Sequence, residues 1–248
     1  FSVMLVITSF SNMKSQNPKR NEKKFKPAKV STNSLLNCRK LLVFGASGHA
    51  KDVLDAAILL GYEEFTLVTT DGSSDIADRN ALKESDFDPS DYADWDCIVA
   101  IGNITHRKHF LSSYACLRQV SIISPSAVVS KSAKIGSGCY IGAFAYIGPN
   151  SILGQACIVN THAIIGHDSE IGSYSQIGPK VCISGNVKVG ESVFIGAGAI
   201  FNNGSKKSPL LVPDFVEIGM GCHITNSIKH RGLKIIPKPN HISINPDQ

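Results

Sequence analysis

Residues 135–171 read IGSGCY IGAFAY IGPNSI LGQACI VNTHAI IGHDSE I, with an aliphatic residue at every sixth position. The same step runs back through Val129 to Ile123 and on through Ile177, Ile183, Val189 and Ile195 to Phe201, so that all fourteen positions are apolar. The residue after the anchor is Gly at nine of them, and Asn or Ser at the other five. Two residues before each anchor the side chain is small or β-branched, as at Cys139, Ala145, Ser151, Cys157, Ala163 and Ser169. A period of six fits neither the 3.6 of an amphipathic helix nor the alternation of an ordinary strand. It is the pattern of a parallel β-helix, one short strand and one corner per repeat.

Three such repeats make a triangular coil of eighteen residues, which stacks Ile165 on Ile147 and Ile147 on Val129. Burying each anchor stabilises by about 1.5–3 kcal/mol before costs, and neighbouring coils share that gain as in any solenoid. Glycine after the anchor is expected because it adopts unusual backbone angles at least cost.

The repeat is broken once. After Phe201 comes a polar stretch, NNGSKKSP, and the step resumes at Val212, Ile218 and Ile224. Residues 202–211 are thus expected to bulge from one corner of a β-helix running from 123 to 228. A basic, proline-bearing tail, expected to be extended, follows from 229 to 248.

Upstream, residues 39–122 alternate strand and helix. Arg39–Phe44 reads as a buried strand, GASGHA (45–50) as a turn opening a helix to about Leu60, and Phe65–Thr70 and Asp96–Ile101 as further strands. A helix from His106 to about Leu117 and a strand at Val120–Ile123 complete the series. This order predicts a small Rossmann-like parallel sheet, with its ligand edge at the carboxyl ends of the strands. The turn at 45–50, Thr70-Asp71 and Ile101-Gly102-Asn103 all fall on that edge. A helix beginning near Gly48 offers free N–H groups to an anion, and a phosphate suits it. The glycine spacing lacks the GxGxxG of dinucleotide sites.

Net charge is +5. Residues 1–40 hold nine lysines and arginines against Glu22 alone, so the rest of the chain is slightly acidic and shows no basic patch for nucleic acid. Residues 1–38 are read as a disordered basic leader. Their apolar run precedes their charge, which is the reverse of a secretory signal, and ten residues do not span a bilayer. Met13 is a possible start. The seven cysteines contain no CxxC, which points to reduced thiols in a cytoplasmic protein.

Most corners are bland. The one after Ile165 carries His167-Asp168, an imidazole beside a carboxylate, the usual composition of a general base. Alone, the dipeptide also fits an ordinary turn. The ordered set GASGHA, IGN-x3-RK (Ile101 to Lys108) and VNT-x5-HD (Val159 to Asp168) resembles the hexapeptide-repeat sugar acetyltransferases. These include sialic acid O-acetyltransferases and UDP-linked 4-amino-sugar N-acetyltransferases of the bacillosamine and perosamine pathways. The resemblance spans about residues 40–235.

That resemblance implies a left-handed β-helix, a homotrimer, and acetyl-CoA lying between adjacent subunits. It implies His167 as general base with Asp168 as its acidic neighbour, and acetyl-CoA contacts at Asn160, Gln176, Gly185, Gly196 and Ala197. The Gly185 amide would meet the thioester. A nucleotide-sugar or sugar acceptor is implied at Gly45, Ser47, Gly48, His49, Asp71, Gly102 and Asn103. No metal is expected. Three departures stand out: Gln176 where bacillosamine-type enzymes often have a second histidine, IPKP (236–239) in place of a GNPA or GVPA turn, and the insertion at 202–211. Two other readings compete. His162 and His167 have the spacing of γ-class carbonic anhydrases, though Ser126 stands where the third histidine belongs. The other is a nucleotide-sugar-binding protein on a catalytically dead scaffold.

Overall fold

The computed structural model describes residues 38–236. The leader and the IPKP turn beyond Ile236 lie outside them. The fold is a Rossmann-like parallel α/β domain followed by a left-handed parallel β-helix.

In the first domain, strands β1 (Arg39–Phe44), β2 (Tyr62–Thr69), β3 (Ala81–Lys83), β4 (Asp96–Val99) and β5 (Arg118–Gln119) form a sheet of order β3-β2-β1-β4-β5. All its pairings are parallel. Alternation along β1 sends Leu41 and Val43 to one side, and Leu42 and Phe44 to the other. Helix α1 (Gly48–Leu59) packs on the first side through Ala50, Val53, Leu54 and Ala57, and helix α2 (Ile104–Ser113) on the second through Phe110. α2 starts two residues earlier than expected because the Asn103 side chain caps it, accepting from the His106 N–H at 3.0 Å. The stretch expected as one strand at 120–123 divides: Ile122–Ile123 leaves the α/β sheet and becomes the first strand of the β-helix.

The β-helix has three faces. One stacks the anchors Ile123, Ile141, Val159, Ile177, Ile195, Ile218 and Ile235, the second Val129 to Ile224, and the third Ile135 to Val212. They are called here the docking face, the apolar face and the charged face. The small residues between anchors are buried with them, and the serines among them at 151, 169 and 175 are satisfied by the adjacent turn. Ser151 Oγ donates to the Gly166 carbonyl at 2.7 Å, and Ser175 Oγ to Gly190 at 2.9 Å.

Glycine follows the anchors for a different reason from the one expected. A Cβ on Gly136 would lie 2.6 Å from the backbone of Gly154 and Gln155, and one on Gly172 only 2.4 Å from Gly190. These glycines permit coil-to-coil stacking. The left-handed conformation falls two residues later, at non-glycine positions such as Asn150, His162, Asp168 and Asn186, with φ between 55° and 59°.

The α/β domain sits on the docking face, with α1 between its sheet and the coils: Ile122, Tyr140 and Ile158 share a core with α1. Arg107 fastens the join. Its buried guanidinium donates to the carbonyls of Ile101 (2.7 Å), Gly102 (2.8 Å) and Tyr174 (2.6 Å), tying α2 to a β-helix corner. Lys108 adds an ion pair to Glu191 at 3.0 Å. The insertion leaves the register intact: Val212 pairs with Val189 at a separation five residues longer than in other coils. Coiling also continues past 228, since Lys234–Ile235 pairs with Glu217–Ile218 within the segment read as an extended tail.

Candidate active site

His167 and Asp168 stand at the edge between the apolar and charged faces. The second residue past each anchor on this edge forms a ladder, Pro149, His167, Gly185 and Asn203, one per coil. Asp168 takes the left-handed conformation (φ 55°), which an aspartate tolerates better than most residues. Its Oδ2 lies 2.7 Å from His167 Nδ1, while Oδ1 accepts from Asn150 Nδ2 at 3.1 Å. The hydrogen bond from His167, then that from Asn150, holds the Asp168 carboxyl below its ordinary range. An ionised carboxylate only accepts, so Nδ1 carries the proton and Nε2 presents its lone pair. The histidine side chain is 57% exposed.

Nε2 lies over Gly185. A Cβ added there would be 2.5 Å from it, so the ring is seated on bare backbone. The Gly185 N–H, the implied thioester contact, donates to Asn203 Oδ1 at 2.8 Å, and the Gly185 carbonyl accepts from the Gly204 N–H. A cavity of about 410 Å³ opens beside this edge, lined by Asp168, Asn186, Lys206 and Pro209. The insertion therefore borders the His-Asp pair. Neither Asn203 nor Lys206 is among the residues the sequence singled out. The eighteen-residue step from His167 through Gly185 leads to Asn203, and it is the signal that was there to follow.

Asn160, Gly196 and Ala197 lie on a different edge, between the docking and apolar faces. Asn160 Oδ1 accepts from the Thr161 N–H at 2.7 Å. Gly196 is a packing glycine, whose Cβ would meet the Met220 N–H nitrogen at 2.6 Å. His162 shares this edge, its ring 5.1 Å from that of Phe144. One chain therefore holds His162 and His167 apart on separate edges. Among the described residues no group of three His, Cys, Asp or Glu side chains is arranged to hold a metal ion.

Gln176 points from the docking face into a cleft of about 740 Å³ between the domains, lined also by Gly102, Asn103, Lys108, Phe194 and Phe215. Gly45 and Ser47 line a smaller cavity of about 150 Å³ at the end of β1. A Cβ on Gly45 (φ 112°) would strike the Ala100 carbonyl at 2.8 Å. Ser47 begins α1 with no side-chain cap, leaving the N–H groups of Gly48, His49 and Ala50 without a helical partner. His49 is held against the Tyr140 ring at 5.0 Å, and burial, then the Arg107 charge, lowers its pKa to about 4. It is neutral at pH 7. Asp71 is a turn residue: its Oδ1 accepts from both the N–H and the hydroxyl of Ser73, which lowers its pKa.

Residues 40–114 match the family model described as the PglD N-terminal domain, and residues 168–203 match the bacterial transferase hexapeptide model of six repeats. A comparison with curated protein sequences gives no match. Among solved structures, the acetyltransferase domain of PglB from Neisseria gonorrhoeae is 32% identical with a TM-score of 0.69, over 79% of this chain and 95% of that one. The same domain in complex with acetyl coenzyme A is 30% identical with a TM-score of 0.66, over 75% and 92%. PerB from Caulobacter crescentus, in complex with CoA and GDP-perosamine, is 25% identical with a TM-score of 0.69, over 79% and 91%. The chain belongs to the hexapeptide-repeat sugar acetyltransferase family and is an acyltransferase.

Proposed function

We propose that the protein moves an acetyl group from acetyl-CoA to an amino or hydroxyl group of a nucleotide-linked sugar in glycan biosynthesis, with His167 as general base. The observation that carries this reading is the imidazole fixed through Nδ1 by Asp168, its Nε2 free over Gly185. Acetyl-CoA and CoA in the PglB and PerB complexes support the donor, and GDP-perosamine in PerB supports the acceptor class.

Nε2 takes the proton as the acceptor nitrogen or oxygen attacks the thioester carbon. The tetrahedral intermediate then collapses, breaking the C–S bond, and imidazolium returns the proton to the departing CoA sulfur. Asp168 stabilises the imidazolium between these steps. Base catalysis of this kind is worth about 100- to 10,000-fold. The uncapped start of α1 suits a phosphate of the acceptor.

The site needs a second chain. Within one subunit the His167 edge lies opposite the docking face, and Asn160, Gly196 and Ala197 lie on another edge. The apolar face explains how they meet. Its outward side chains include Val128, Tyr146, Ile164 and Ile200, 40–59% exposed, whereas the charged face interleaves Ile152 and Leu211 with Lys134 and an ion pair of Glu170 with Lys188 at 2.7 Å. Three chains with their apolar faces turned to a threefold axis bring the His167 edge of each against the Asn160 edge of the next. The neighbour's α/β domain then stands close by. A homotrimer accordingly supplies donor and acceptor surfaces to one histidine.

Among the described residues no helix is long and apolar enough to cross a membrane. The seven cysteines are free thiols, which suits a reducing, cytoplasmic setting. Release of free CoA thiol from acetyl-CoA, measured across a panel of nucleotide-linked amino and neutral sugars, is the test. We expect release with at least one acceptor, and a loss of at least tenfold in His167→Ala. An unchanged rate in that variant removes His167 from the chemistry.

A further inference from the structure

We propose that the insertion builds an anion subsite beside the His-Asp corner, in which Lys206 holds a phosphate group of a nucleotide-bearing substrate. This rests on the acetyl-transfer reading above and adds to it a residue that the regular repeat does not supply.

Where Ile171 pairs with Val189 the coil closes in eighteen residues, and the next one takes five more, which do not form a slack loop. Ser205 and Ser208 exchange backbone hydrogen bonds, the Ser205 N–H donating at 2.9 Å and the Ser208 N–H at 3.1 Å. Both legs are tied to the coil below. The Gly204 N–H donates to the Gly185 carbonyl at 3.0 Å, and the Leu210 N–H to the Asn186 carbonyl at 3.1 Å. Gly204 presses so close that a Cβ would lie 2.2 Å from the Asn186 carbonyl oxygen. Lys206 and Lys207 are the two central residues of this turn, where Gly, Asn and Asp are the usual choices. Adjacent ammonium groups repel each other, so the stability of the turn does not account for the pair.

Lys206 lines the cavity of about 410 Å³ together with Asp168, Glu170, Asn186 and Lys188. It is thus a neighbour of the acid in the His-Asp pair. The hydrogen bonds from His167 and Asn150 are the larger influences on the Asp168 carboxyl, and the Lys206 charge is felt there as well. Charges around this cavity are unevenly matched. Asp168 is held by His167 and Asn150, and Glu170 by Lys188 at 2.7 Å. Among the described residues neither Lys206 nor Lys207 has an ion-pair partner. Two ammonium groups on one turn are set against one carboxylate, and the surplus positive charge suits a phosphate, which lysine binds as a point charge. Both proposed substrates, acetyl-CoA and the nucleotide-linked sugar, carry a diphosphate.

The test uses the full chain, acetyl-CoA and an acceptor found active in the panel, with kcat and both KM values measured for Lys206→Gln, Lys206→Glu and His167→Ala. We expect Lys206→Gln to raise KM for one phosphate-bearing substrate about tenfold and Lys206→Glu to raise it further. For both, kcat should stay within about threefold of wild type, with melting temperature and oligomeric state unchanged. A rise in KM for acetyl-CoA assigns the subsite to the donor, and a rise for the acceptor assigns it to the nucleotide-linked sugar. Isothermal titration of CoA, UDP and GDP into wild type and Lys206→Glu reads the same contact without turnover, as weaker binding of the nucleotide concerned. Changes of less than about threefold in every KM and affinity overturn the proposal. If His167→Ala loses activity while both Lys206 variants match wild type, only this inference fails. If no acceptor is turned over but Lys206→Glu still weakens nucleotide binding, the subsite stands and the acetyl-transfer reading fails.

Discussion

At Gly185 an added methyl would lie 2.5 Å from His167 Nε2, and the three nearest atoms it would meet all belong to that imidazole. Gly185→Ala should therefore swing the imidazole away from its seat without unfolding the coil. We expect a loss of about 100-fold in turnover, a typical consequence of a catalytic group displaced by about 1 Å, with circular dichroism and melting temperature close to wild type. A variant that keeps its turnover would show that the ring works from another rotamer. The His-Asp pair was legible in the sequence because neighbours at a tight corner remain neighbours in space. Asn160 stands seven residues earlier along the chain, which carries it around to another edge of the same subunit. Asp71, expected at the acceptor site from its place at a strand end, also holds an Asx turn, its Oδ1 accepting from Ser73. Asn203 was hidden by its plain surroundings, NNGS, and became visible only through the stack it completes.

The solenoid was readable as an element because its rule is periodic, and each repeat confirms the last. The α/β domain has no such redundancy. Its edge strand β3 is three residues long with no alternation to betray it, and the ends of β2 and β4 are set by pairing to β1. The motif IGN-x3-RK was recognisable as a motif, but its physical role was not. Asn103 caps α2, and Arg107 is a buried clasp whose charge is balanced by three carbonyls, with burial lowering its pKa to about 10. Arg107→Met keeps the bulk and abandons those carbonyls. A cost of about 3 kcal/mol is expected, read as a melting temperature lower by roughly 5–10 °C and faster amide exchange in α2. A melting curve indistinguishable from wild type would mean that the hydrophobic contacts of α1 carry the join alone.

For the whole molecule, the decisive surface is the apolar face. Ile164→Lys puts a cation at its middle, opposite two copies of itself in the proposed trimer. We expect a monomer by light scattering, retained circular dichroism and almost no acetyl transfer, because no chain then completes a site. Activity regained on mixing His167→Ala with Asn160→Ala subunits would show the sharing directly, since one kind of chain contributes the base and the other the opposing edge. An active monomer would refute both. The same architecture bears on how the chain folds. Most strand pairings in the solenoid join residues eighteen apart, so each coil closes a short loop on a template already formed, and growth is stepwise. The clasp closes much longer loops, 67 residues from Arg107 to Tyr174 and 88 from Tyr140 to Asp52. Contacts of such separation form late. The cleft between the domains thus comes into being only after the coils that carry His167 are wound, and folding sets the histidine before it closes that cleft.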